Sequence, residues 1–130
     1  MSKRVALAVL LSALFASAAF AASNFQNTCS NISFAYGSGN APTLQAVCLT
    51  ASGSPNTTSL VLAGISNQNG KLVQGGGAST FQQSCGNIQI VVNSTSQVSL
   101  TAYCRTSGGS SNSTSLALNN ISNSNGTLTQ

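Results

Sequence analysis

Aspartate, glutamate and histidine are all missing from the 130 residues, and lysine and arginine together number only four. General acid–base catalysis draws mainly on those absent side chains, so neither paired glycosidase carboxylates nor a Ser-His-Asp triad can be assembled. Hard cations need carboxylate oxygens, and zinc would have to be held by cysteine alone with no C-x-x-C pair to start from. The composition therefore points away from an enzyme, a metal site or a cofactor. Lys3 and Arg4 lie at the extreme N-terminus, leaving Lys71 and Arg105 as the only cations of the remaining chain. Two cations are too few to track a phosphate backbone, which excludes nucleic acid as the expected partner.

What is present begins with an export pattern. Lys3 and Arg4 precede an apolar run from Val5 to Phe15, and Ala19-Phe20-Ala21 supplies small residues in an A-x-A arrangement. Ser12 and Ser17 interrupt a stretch already at the lower limit for crossing about 30 Å of hydrocarbon, so cleavage is favoured over a membrane anchor. Residues 1–21 are read as a signal peptide and residues 22–130 as the mature domain, secreted and free of the membrane after cleavage. A chain of that size buries only about two thirds of its unfolded surface. Its four cysteines, exported into an oxidising compartment, are expected to form disulfides.

Those cysteines expose a duplication. A common offset of 56 positions carries Cys29 to Cys85 and Cys48 to Cys104, Phe25-Gln26 to Phe81-Gln82, and Leu44, Ala46 and Cys48 to Leu100, Ala102 and Cys104. Ile65-Ser66-Asn67 and Asn69-Gly70 recur as Ile121-Ser122-Asn123 and Asn125-Gly126. About half of residues 23–74 reappear unchanged in residues 79–130, with Gly75-Gly76-Gly77-Ala78 between as a short flexible linker. Duplication favours Cys29 pairing with Cys48 and Cys85 with Cys104, while other connectivities stay open from sequence alone.

Local patterning is that of strands. Leu44, Ala46 and Cys48 alternate with Gln45 and Val47, Leu100, Ala102 and Cys104 with Thr101 and Tyr103, and Leu60/Leu62 and Leu116/Leu118 repeat the period of two. Asn69-Gly70 and Asn125-Gly126 suit the two positive φ angles of a type I′ hairpin turn. The segments at Ile65 and Ile121 just ahead leave room for a short helical turn, with little other helix in a chain so rich in Ser, Thr and Asn. Tyr36 and Tyr103 offer rings able to stack on a sugar, but aromatics of a small β protein are expected in the core. N-x-[ST] sequons at Asn31, Asn56, Asn93, Asn112, Asn120 and Asn125 mark surface acceptor positions.

The ordered set F-x-x-[TS]-C-x-N, a second cysteine, [TS]-S-L-x-L and I-x-N-x-N-G-x-L occurs twice, at Phe25–Asn31 and Phe81–Asn87 through Ile65–Leu72 and Ile121–Leu128. In this the chain resembles the cyanovirin-N homology family across the whole mature sequence. That resemblance implies an all-β, pseudo-symmetric two-lobed fold with a disulfide in each repeat. Strands would be exchanged, so that each lobe joins the opening of one copy to the closing of the other. It also implies a metal-independent lectin for mannose-rich glycans or glycoproteins, typically α1-2-linked mannose, acting as a monomer or a strand-swapped dimer.

Carried over position by position, one sugar site would lie near Asn24, Asn27, Thr28, Thr50, Asn123, Ser124 and Asn125. The other would lie near Ser66, Asn67, Asn69, Thr80, Gln83, Ser84, Arg105 and Thr106. Where well-known members carry Glu or Asp, this chain has Leu49, Ser66, Asn69, Gln83 and Asn125. Amides and hydroxyls give weaker, neutral hydrogen bonds than carboxylates do, so weaker or altered sugar binding is expected. The competing expectation is a secreted structural or adhesive protein that keeps the fold, since a nearly uncharged surface guards poorly against edge-to-edge strand pairing. The Cys29–Cys48 loop is several residues longer than in well-known members.

Overall fold

The computed structural model describes residues 21–130, so the expected signal peptide, Ala21 apart, lies outside the described residues. Among the described residues there are ten strands and short 3-10 turns, with no α-helix. In chain order the strands are β1 Cys29–Tyr36, β2 Pro42–Leu49, β3 Pro55–Val61, β4 Ile65–Gln68, β5 Lys71–Gln74, β6 Cys85–Val92, β7 Val98–Arg105, β8 Ser111–Ala117, β9 Ser122–Ser124 and β10 Thr127–Thr129. They make antiparallel sheets β1-β2-β3 and β6-β7-β8 and hairpins β4-β5 and β9-β10.

Each motif residue has a conformational reason. Asn31 and Asn87 adopt φ of 53° and 51° at register shifts in the β1–β2 and β6–β7 pairings, a left-handed bulge position that asparagine tolerates better than most residues. Asn69-Gly70 and Asn125-Gly126 all have positive φ and close two-residue hairpins between Gln68 and Lys71 and between Ser124 and Thr127, as their sequence predicts. That turn chemistry also corrects one expectation. Ile65 begins strand β4, and Ile121 is a buried residue immediately before β9, so neither segment forms a helical turn. Folding back at Asn-Gly pairs Ile65 with Gln74, which demands extended backbone.

Disulfides join Cys29 to Cys48 and Cys85 to Cys104, directly opposed residues of β1–β2 and β6–β7. Leu44, Ala46, Cys48, Leu100, Ala102 and Cys104 all point inward, as their alternation predicts, and share one core with Phe25, Phe81, Ile65, Ile121, Leu72 and Leu128.

The strands are exchanged between copies. Hairpin β9-β10 of the second copy rests on β3 of the first, where Leu128 N–H donates to Thr58 Oγ1 at 3.1 Å and the Asn56 amide donates to the Gly126 carbonyl at 2.8 Å. Hairpin β4-β5 rests in the same way on β8, through Thr114 Oγ1 and Asn112. Buried serines clasp each exchange. Ser23 Oγ donates to the Leu118 carbonyl at 2.6 Å and accepts from Ile121 N–H at 3.0 Å, while Ser79 Oγ bridges Leu62 and Ile65 at 2.5 and 2.9 Å. One lobe therefore comprises β1-β2-β3 with β9-β10, and the other β6-β7-β8 with β4-β5.

The lobes also touch through Phe34, whose ring lies edge-on to Phe81 at 6.5 Å and to Tyr36 at 5.2 Å. Tyr36 and Tyr103 themselves are 54% and 51% exposed, against the expectation that they pack in the core. Tyr103 lies between inward Ala102 and Cys104, so the pleat turns it outward.

Candidate functional site

Most of the polar residues expected to bind sugar converge into one cluster per lobe, and the exchange is what assembles each cluster. In the first lobe the Asn123 amide donates to Thr28 Oγ1 and to the Leu49 carbonyl, both at 2.9 Å, and its oxygen accepts Gly126 N–H at 2.7 Å. Asn125 Oδ1 accepts Ala51 N–H at 2.8 Å, tying the turn to the loop that begins at Thr50. Thr50 itself accepts Ser54 N–H at 3.1 Å, and its methyl group lies against Gly126.

The second lobe repeats the frame, with one bond more at Asn69. The Asn67 amide donates to Ser84 Oγ at 2.9 Å and to the Arg105 carbonyl at 3.0 Å, while its oxygen accepts Gly70 N–H at 2.7 Å. Asn69 Oδ1 accepts from Ser107 N–H at 2.8 Å and from its hydroxyl at 3.1 Å. Thr106 Oγ1 accepts Ser110 N–H at 3.2 Å, and the Thr106 methyl lies against Gly70.

These bonds divide the expected residues by task. Asn67, Asn69, Asn123 and Asn125 spend their amide oxygens on backbone N–H groups, and with Thr28, Ser84, Thr50 and Thr106 they make a frame that fixes the turns. Asn24, Asn27, Thr80, Gln83, Ser124 and Arg105 are exposed, and among the described residues their side chains make no hydrogen bond to the protein. Donors and acceptors on these side chains remain open to a ligand. Ser66 accepts from Gln68 Nε2 at 3.3 Å on the β4-β5 hairpin.

Beside Ser84 of the second frame lies a concavity of about 400 Å³ lined by Gln83, Ser84, Cys85, Gly86, Asn87, Tyr103, Arg105 and Ser111. An adjoining one of about 430 Å³ shares Gln83 and is closed by Gln82, Tyr36, Gly39 and Asn40, the last three belonging to or beside the long β1–β2 loop. Gly86, Asn87 and Ser111 were not among the residues expected from sequence, and Tyr103 was expected in the core. The outward phase of the β7 alternation marks Tyr103, whereas the approach of the β1–β2 loop to Gln82 and Gln83 has no sequence signal. A larger concavity of about 740 Å³, bounded by Gly64, Gln74 to Gly77, Leu116, Asn119, Asn120 and Gln130, contains none of the expected site residues.

Duplicated, strand-exchanged lobes with an asparagine-framed polar cluster in each define a class of internally repeated β protein. Residues 5–73 and 79–130 match the CVNH domain, and the chain belongs to that family, the cyanovirin-N homologues. Among solved structures, TbCVNH from T. borchii is 30% identical over 81% of this chain and 96% of its own, with a TM-score of 0.64. Microvirin, solved as a mannobiose complex, is 30% identical over 79% of this chain and 94% of its own, with a TM-score of 0.58. A MoCVNH3 variant solved with (N-GlcNAc)4 shares the fold at 20% identity, covering 87% of this chain and 99% of its own with a TM-score of 0.61. No curated protein matches the chain.

Proposed function

We propose that this protein is an exported, metal-independent carbohydrate-binding protein for neutral, mannose-rich glycans, acting without catalysis. The observation that carries this reading is the twice-built polar cluster, in which a rigid asparagine frame presents uncharged donors and acceptors beside exposed Gln83 and Arg105. Neutral hydroxyl-rich ligands suit such a surface, with water bridging what side chains do not reach. Membership of the CVNH family and the mannobiose complex of microvirin support a saccharide, and specifically mannose. The export pattern of residues 1–21 supports an extracellular location.

A structural or adhesive role is the second reading, favoured by exposed Leu49, Val61, Val73, Val91 and Val92 on a surface with almost no charge. Calorimetric titration of the disulfide-intact protein with α1-2-linked mannobiose, with and without EDTA, separates the two. The lectin reading predicts saturable binding tighter than about 1 mM, or about −4 kcal/mol, unaffected by the chelator. Absence of heat with both mannobiose and (GlcNAc)4 at millimolar concentration refutes it in favour of the structural role.

A further inference from the structure

The duplication supplies an internal comparison, because each position of one lobe has a counterpart in the other. On the outward face of β7, Tyr103 and Arg105 stand two residues apart, about 7 Å along the strand. Their counterparts on β2 are Val47 and Leu49, and Ser111 opposite Arg105 is replaced by Pro55 opposite Leu49. Lys71 and Arg105, the only cations among the described residues, both belong to the second lobe.

Gly86 pairs directly with Tyr103, so the two share one face of the sheet. A Cβ at Gly86 would meet no atom within 4 Å, and its φ is not positive. Nothing in the backbone or packing therefore requires glycine there, and the counterpart in the first copy is Ser30. Gly86 and Tyr103 line the same concavity as Gln83, Arg105 and Ser111, and a side chain at position 86 would extend into that open space.

We infer that the two lobes are not equivalent and that the second is the working saccharide site, with Tyr103 as an aromatic platform for a pyranose ring. The inference rests on the carbohydrate reading above and adds to it a residue, a lobe and a mode of contact. The C–H groups on one face of a pyranose form an apolar, weakly positive surface that complements the negative face of an aromatic ring. With the ring seated on Tyr103, its hydroxyls face the Gln83 amide and the Arg105 guanidinium, which supply acceptor and donors. No carboxylate side chain exists in the sequence to draw that guanidinium away. In the first lobe Val47 and Leu49 offer neither a platform nor a donor.

The chain has two tyrosines and no tryptophan, so Tyr36→Phe leaves Tyr103 as the sole source of tyrosine emission. Titration of the Tyr36→Phe protein with α1-2-linked mannobiose and with (GlcNAc)4 is expected to change tyrosine emission saturably, at the dissociation constant calorimetry gives. Tyr103→Ala and Gly86→Gln, which fills the opening without adding charge, are each expected to weaken binding at least tenfold. Both should keep the wild-type melting temperature within a few degrees, and Val47→Ala should bind as wild type does. Binding that survives both substitutions unchanged, or loss caused by Val47→Ala instead, overturns the inference and leaves the carbohydrate reading standing. A wild-type protein silent to both sugars in calorimetry overturns the reading and the inference together.

Discussion

Replacing Ser79 by alanine tests whether strand exchange is held where the structure places it. The Ser79 hydroxyl is buried, donates to the Leu62 carbonyl at 2.5 Å and accepts Ile65 N–H at 2.9 Å, so one oxygen of the second copy pins both ends of the turn entering β4. Ser79→Ala removes both bonds and leaves a buried N–H and a buried carbonyl without partners. An unsatisfied buried group costs about 1–3 kcal/mol, so the pair is expected to lower stability by about 3 kcal/mol. For a chain of this size that is a fall in melting temperature of about 10 °C or more. Ser23→Ala removes the equivalent clasp on Leu118 and Ile121 and is expected to match it closely. Ser113→Ala, on an exposed position of β8, should change stability by less than about 0.5 kcal/mol. Guanidinium unfolding followed by circular dichroism measures all three, and a Ser79→Ala loss no larger than that of Ser113→Ala refutes the clasp.

Three further outcomes follow from the fold and the composition. Gly64 has φ of 78°, and a Cβ there would stand 2.1 Å from the Gly75 carbonyl oxygen, so Gly64→Ala should cost about 3 kcal/mol by thermal unfolding. Gly76→Ala, where a Cβ meets nothing, should be neutral within about 0.5 kcal/mol. Each disulfide closes a loop between residues 19 positions apart, worth about 3 kcal/mol on the chain-entropy estimate, so reduction should lower the guanidinium midpoint sharply and releasing both should add. Because the sequence has no Asp, Glu or His, folded and unfolded chains bind equal numbers of side-chain protons from about pH 5 to about pH 7. Stability should be flat across that interval, and a slope in the unfolding midpoint contradicts this.

Much of the fold was legible because its signals are periodic or local. The 56-residue offset, the inward alternation of Leu44, Ala46 and Cys48, and the paired positive φ values of Asn-Gly all follow from chain chemistry without tertiary information. Strand exchange did not follow from patterning, because the β4-β5 hairpin is equally amphipathic whichever sheet it meets, and it was expected only through family resemblance. The strand at Ile65 was missed since the turn that extends it lies downstream. Tyr103 was misplaced although its phase was in the sequence: if Ala102 and Cys104 point inward, residue 103 points out. As for the candidate site, the frame asparagines were legible from the motif, whereas their division from the free Gln83 and Arg105 depends on which amides the backbone engages, and only the coordinates show that.

Amide shift mapping of the isotopically labelled, disulfide-intact protein during titration with α1-2-linked mannobiose tests the central claim most directly. The account predicts saturable shifts concentrated at Gln83–Asn87, Tyr103–Thr106 and Asn67–Asn69, with smaller or no shifts at Thr28, Thr50 and Asn123–Asn125. Shifts absent from both clusters, or confined to the concavity bounded by Gly64, Gly75 and Asn120, contradict it.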